Sequence, residues 1–150
     1  LITHVVGWGS RPTSARVVLL AVLGVGCSKL RGECDAVVKT ANTFIGESAR
    51  RPPSPDASPE QASREALENA DRYDKLARDL AAIKVESAEL RGDVEKYADL
   101  AVRSATSLRA AAHALKTRNF EQARQKRIEL DGAAKSEGPL VARINATCGR

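Results

Sequence analysis

Methionine is absent from this 150-residue chain, and aromatic residues make up only 3% of it: two tyrosines, two phenylalanines and one tryptophan. Alanine and the aliphatic residues must therefore fill any core, and helices that meet through alanine can approach closely. Histidine occurs only at His4 and His113, which excludes histidine-rich zinc centres and the paired Glu-x-x-His ligands of di-iron bundles. There is no Cys-x-x-Cys-His sequence for covalent haem attachment, and methionine ligation is impossible. No metal and no cofactor are expected. Apolar runs are short, since the longest, Val17 to Val25, falls well below the roughly 20 residues of a membrane-spanning helix. What is present is a hydrophobic content of 43%, a charged content of 29% and a formal charge of +5, the balance of one ordinary domain.

The amino-terminal third has a directional pattern. Arg11-Pro12-Thr13-Ser14-Ala15-Arg16 is basic and polar, Val17 to Val25 is apolar, and Gly26-Cys27 closes the run with a small residue and a thiol. A basic end, an apolar middle and small residues at the exit are the parts of a secretory signal peptide. Arg11 and Arg16 would hold the amino end at an anionic membrane face while the apolar run enters the bilayer as a short helix. Ser28, Lys29, Arg31 and Glu33 then return the chain to water. Because the chain opens on Leu1, residues 1 to about 10 are given no structural weight.

Leu23-Gly24-Val25-Gly26-Cys27 resembles the lipobox of bacterial lipoprotein precursors, with Leu23 one place further from the cysteine than the usual aliphatic residue and Gly24 in that residue's position. The resemblance implies cleavage before Cys27, a diacylglyceryl group on its sulfur and a membrane partner reached through that lipid. It further implies a bacterial cell-envelope location facing the periplasm, and Ser28 resembles the residues that permit onward transport to an outer membrane. Loss of Arg11 and Arg16 with the leader would reduce the formal charge to +3, which weakens any pull on nucleic acid. The expected organisation is a signal peptide at 1–26, a lipidated linker at 27–32 and a helical domain at 33–150.

Four helices are expected in that domain. The first spans about 33–49, with Val37, Val38, Ala41, Phe44 and Ile45 at helical spacing, and the proline-rich stretch after Arg51 ends it. The second spans 59–83: Ser58 is placed to cap it, Pro59 suits its first position and Gln61 completes a capping box. Its apolar stripe is Ala66, Ala70, Tyr73, Ala77 and Leu80, widened by Leu76 and Ile83. The third, 87–117, opens at Ser87 and carries Leu90, Val94, Tyr97, Ala101, Ser104, Leu108, Ala111 and Leu115 in steps of four and three, the period of helices packed at shallow angles. Lys84 to Glu86 contains neither glycine nor proline, so a turn and a continuous helix both remain open there. The fourth, 120–148, opens at an Asn119 cap. Phe120, Ala123, Leu130, Ala134, Val141, Ile144 and Cys148 lie on its stripe, interrupted by Arg127 and Glu137, and Pro139 is expected to kink or break it. Short connections make the fold class all-α, an antiparallel up-down-up-down four-helix bundle.

With Cys27 committed to lipid, Cys34 and Cys148 remain, one at the start of the first helix and one at the end of the fourth. An up-down-up-down bundle brings those ends to one side, and an exported chain meets an oxidising compartment where a bridge persists. A Cys34–Cys148 disulfide is expected; two buried free thiols are the alternative. The layout is also similar to that of small uncharacterised helical bacterial lipoproteins, through Glu33-Cys34-Asp35 near the start and Pro139-Leu140-Val141, Ile144-Asn145 and Cys148 at the end. Those proteins carry no activity to transfer.

Chemistry is sparse. His113 lacks an evident acid partner or nucleophile, and the acid pairs Asp71 with Asp74 and Glu86 with Glu89 sit among lysines and arginines as a solvated ion-pair face would. No enzyme activity is expected. Arg118, Arg124, Lys126 and Arg127 form the most basic cluster, a candidate contact for anionic headgroups or envelope polymers. Without aromatics beside it to stack on bases, it gives no expectation of nucleic-acid binding. The functional expectation is a lipid-anchored structural or protein-interaction module, with an envelope protein or polymer as partner. The alternatives are a carrier or sensor for a small apolar ligand and, if the leader is misread, a cytosolic coiled-coil adaptor.

Overall fold

The computed structural model describes residues 24–50, 54 and 56–149, with side chains from Lys29 onward. The expected leader therefore lies outside the described residues except for its last three, and the side chain of Cys27 lies outside them too. The described chain is all-helical: α1 (Gly24–Ala49), α2 (Pro59–Ala81), α3 (Ala88–Lys116) and α4 (Phe120–Thr147), with no strand among the described residues.

The caps act locally, as their residue types require. The Ser58 hydroxyl accepts from the Gln61 amide, Ser87 from Leu90 and the Asn119 side chain from Gln122, which satisfies amide groups that the first turn of a helix otherwise leaves unpaired. Gln61 does not reach back to complete a capping box; its side-chain amide donates to Glu65 instead. Lys84 to Glu86 is a turn rather than continuous helix. Glu33 explains why: its carboxylate accepts from the backbone amides of Glu86 and Ser87, at 3.0 and 3.4 Å. Arg91 clamps the same turn by donating to the carbonyls of Val85 and Glu86.

That contact also corrects the expected linker. Residues 27–32 belong to α1, which begins at Gly24 rather than near 33. Leu30 packs on the core, Lys29 pairs with Glu86 and Glu33 caps the turn, so tertiary contacts hold as helix a stretch whose own periodicity is weak. Pro139 brings a second correction, because α4 runs through it without a break. Leu140 and Ile144 just beyond it are buried, and their packing offsets the hydrogen bond that proline cannot donate.

α3 is the most enclosed element, packing against α2 on one side and α4 on the other, while α1 packs on α2. Ser63 near the start of α2 donates to the carbonyl of Ala112 near the end of α3, at 2.9 Å. Asp93 near the start of α3 receives Arg143 near the end of α4, at 3.2 Å. Side-chain size divides the core. Val37, Leu76, Leu80, Leu90, Val94, Leu140 and Ile144 cluster around Cys34. Beyond Ser104, the buried positions of α3 are Ala105, Ala111, Ala112 and Ala114. α4 gains little from these small residues: Phe120 and Ile128, at 56% and 51% exposed, stay in solvent.

Candidate functional site: a cleft between the helices

Where the large side chains give way to alanine, the bundle opens into a cleft of about 340 Å³ lined by residues of all four helices. Four side chains, one from each helix, define its level. Phe44 of α1 stacks at a tilt on Tyr73 of α2, with ring centroids 4.8 Å apart. Tyr97 of α3, only 2% exposed, donates from its hydroxyl to Oε1 of Glu137 on α4 at 2.7 Å. Three of the chain's five aromatic residues thus meet at one height. Tyr73 and Tyr97 reach it because their stripes put them on the facing sides of adjacent helices. Glu137 reaches it as the charged interruption of the α4 stripe.

The electrostatics follow from that geometry. Burial raises the Tyr97 hydroxyl far above its usual range, reinforced by the hydrogen bond to Glu137 and by its negative charge. Burial also raises Tyr73, again with help from Glu137. Both phenols therefore stay protonated as donors through the physiological range. Asn69, Ser104 and Asp131 add polar groups to the lining, and no lysine or arginine is among the lining residues.

The sequence-derived sites lie elsewhere. Cys34 and Cys148 are bonded, with Sγ–Sγ 2.06 Å and Cα–Cα 5.6 Å, and they join the first half of α1 to the residue that caps the end of α4. Arg118, Arg124, Lys126 and Arg127 sit around the start of α4, but not as a bare cationic strip. Arg124 is held by Glu121 at 2.8 Å, Lys126 by Glu129 at 2.7 Å, and Arg118 lies 3.9 Å from Glu60. The Arg124 guanidinium holds the Glu121 carboxyl down to about 2, with the Gln125 amide adding to the effect. Asp71 and Asp74 both pair with Arg109 of α3, at 2.9 and 2.6 Å. His113 is exposed. Among the described residues, no group of three or more His, Cys, Asp or Glu is placed to hold a metal, and no helix is long and apolar enough to cross a membrane.

Glu33, Asp93 and the cleft carboxylate Glu137 had no assigned role in the sequence. Glu137 carried a signal nonetheless, since a charge on an otherwise apolar helical stripe requires a polar partner, and the tyrosines on two neighbouring stripes were the available ones. No family model, curated protein or solved structure matches this chain.

Proposed function

We propose that this chain is the precursor of a lipid-anchored cell-envelope protein. Its four helices run up-down-up-down as an interaction module held off the membrane by lipid on Cys27. The observation that carries the reading is the Cys34–Cys148 bond, because such a bond persists in an exported protein and is rare in reducing cytosol. The basic, apolar and small residues leading to Cys27 supply the matching address. The contacts of Ser63 with Ala112 and of Asp93 with Arg143 support the alternating helix direction.

An anchor on Cys27 would sit at the disulfide end, and with a helical rise of ~1.5 Å per residue Phe44 stands about 25 Å further along α1. The cleft then faces the compartment rather than the lipid headgroups. Expression in a bacterial host with radiolabelled palmitate tests the anchor: label is expected on the intact chain and lost in Cys27→Ala. Absence of label, or equal label in both, refutes it.

The cleft favours a second reading, in which the module carries or senses a small ligand. A volume of about 340 Å³ falls at the small end of the roughly 300–1,000 Å³ of ligand sites, and convergent polar groups amid apolar walls are what orient a bound molecule.

A further inference from the structure

We infer that the cleft selects a small organic cation, an ammonium group on a compact apolar body; this rests on the ligand-binding reading above and names its ligand class. Three observations converge. First, the protein carries a formal charge of +5, yet the cleft lining includes Glu137 and Asp131 and no basic side chain. Its local sign opposes that of the molecule, so the two acids are not a by-product of overall composition. Second, Glu137 uses Oε1 for the Tyr97 hydroxyl, while Oε2 has no hydrogen-bond partner among the described residues, nor does the Asp131 carboxyl. An ammonium donor fits these acceptors, and a hydrogen bond with both partners charged is about twice as strong as a neutral one. Third, the aromatic side chains supply what a hydrated metal ion does not need. Tyrosine faces attract organic cations, and Leu108 and Leu130 in the wall accept an apolar body. The volume is too small for a folded partner.

The division of labour is specific. Glu137, positioned by Tyr97, supplies the charge contact. Tyr73, braced by Phe44, supplies a ring surface. Asp131 at the exposed edge favours entry of cations over anions.

The test exploits the scarcity of tyrosine, because Tyr73 and Tyr97 are the only two in the chain and both line the cleft. The full oxidised chain with isotope-labelled tyrosine gives two sets of ring resonances, which are followed by NMR during titration with phenethylammonium, 2-phenylethanol and 3-phenylpropionate. The expected result is saturable shifts of both rings with phenethylammonium, at least tenfold weaker binding of the alcohol and still weaker binding of the anion. Glu137→Gln keeps an acceptor for Tyr97 and should weaken the cation about tenfold while leaving the alcohol unchanged. Asp131→Asn, at an exposed position, provides a second variant that spares the fold, with an expected loss of about threefold. Equal binding of cation and alcohol, or cation binding untouched by both variants, overturns charge selection but leaves the ligand reading standing. No saturable shift with any of the three compounds overturns both.

Discussion

Reduction of the Cys34–Cys148 bond should remove a large part of the stability of this protein. The bond spans 114 residues, nearly the whole described chain, so opening it restores much conformational freedom to the unfolded state. In the chain-entropy treatment a loop of that length corresponds to about 5 kcal/mol, comparable to the entire stability of many small domains. The native contacts point the same way. α1 packs mainly on α2, and the bond is its covalent tie to α4, so reduction removes that tie and leaves α1 held by its packing alone. Urea unfolding of the full chain, followed by circular dichroism with and without a non-thiol reductant, measures the effect. With an m-value of about 2 kcal/mol/M, the midpoint should fall by roughly 2 to 3 M. Reduction is preferable to mutation because Cys34 is only 3% exposed, and a serine there would add a buried hydroxyl. Equal midpoints in the two conditions, with both thiols alkylated only after reduction, would refute the reasoning, since the bond would then be present without stabilising.

Three further outcomes follow from the packing and the titrating groups. Leu80→Ala removes a side chain that is 0% exposed and should cost about 2–5 kcal/mol; a thermal melt showing a loss below 1 kcal/mol would contradict its place in the core. Glu33→Ala leaves the amides of Glu86 and Ser87 without their acceptor and should cost about 1–2 kcal/mol, with faster amide exchange confined to the turn between α2 and α3. If exchange there is unchanged, the carboxylate is not what holds the turn. Tyr97 and Tyr73 keep their protons to higher pH when folded than the usual 10, so stability should be intact below pH 10 and fall as pH rises through the raised values. Ultraviolet titration should show both phenols ionising above pH 10 in the folded chain and near 10 in urea. A normal folded midpoint for Tyr97 would exclude its burial against Glu137.

The helices of this protein were legible because their determinants are local. Ser58, Ser87 and Asn119 cap from within one turn, and the spacing of Leu90, Val94, Tyr97 and Ala101 selects one face whatever lies opposite. The expected breaks and starts were less reliable where a distant group intervenes. Lys84 to Glu86 has no strong turn residue and turns because Glu33, more than fifty positions away, accepts its amides. Residues 27–32 read as a linker by their own sequence, and α1 includes them. Pro139 should interrupt a helix on local grounds, but buried Leu140 and Ile144 hold α4 across it.

For the candidate site the division is sharper. The sequence alone determined that aromatics are scarce, that Tyr73 and Tyr97 face inward, that Glu137 interrupts an apolar stripe, and that Cys34 and Cys148 lie near the two ends of the domain expected at 33–150. Each of these is a property of one residue and its near neighbours. Only the tertiary structure decided that the two tyrosines, Phe44 and Glu137 share one height, that the cleft lining contains no basic side chain, and that Arg118, Arg124 and Lys126 around the start of α4 lie beside acids. Those facts depend on how far each helix slides along the next. That offset is set by packing summed over the whole interface, with large aliphatics closing one end and alanines leaving the other open, and no single stretch of sequence encodes it.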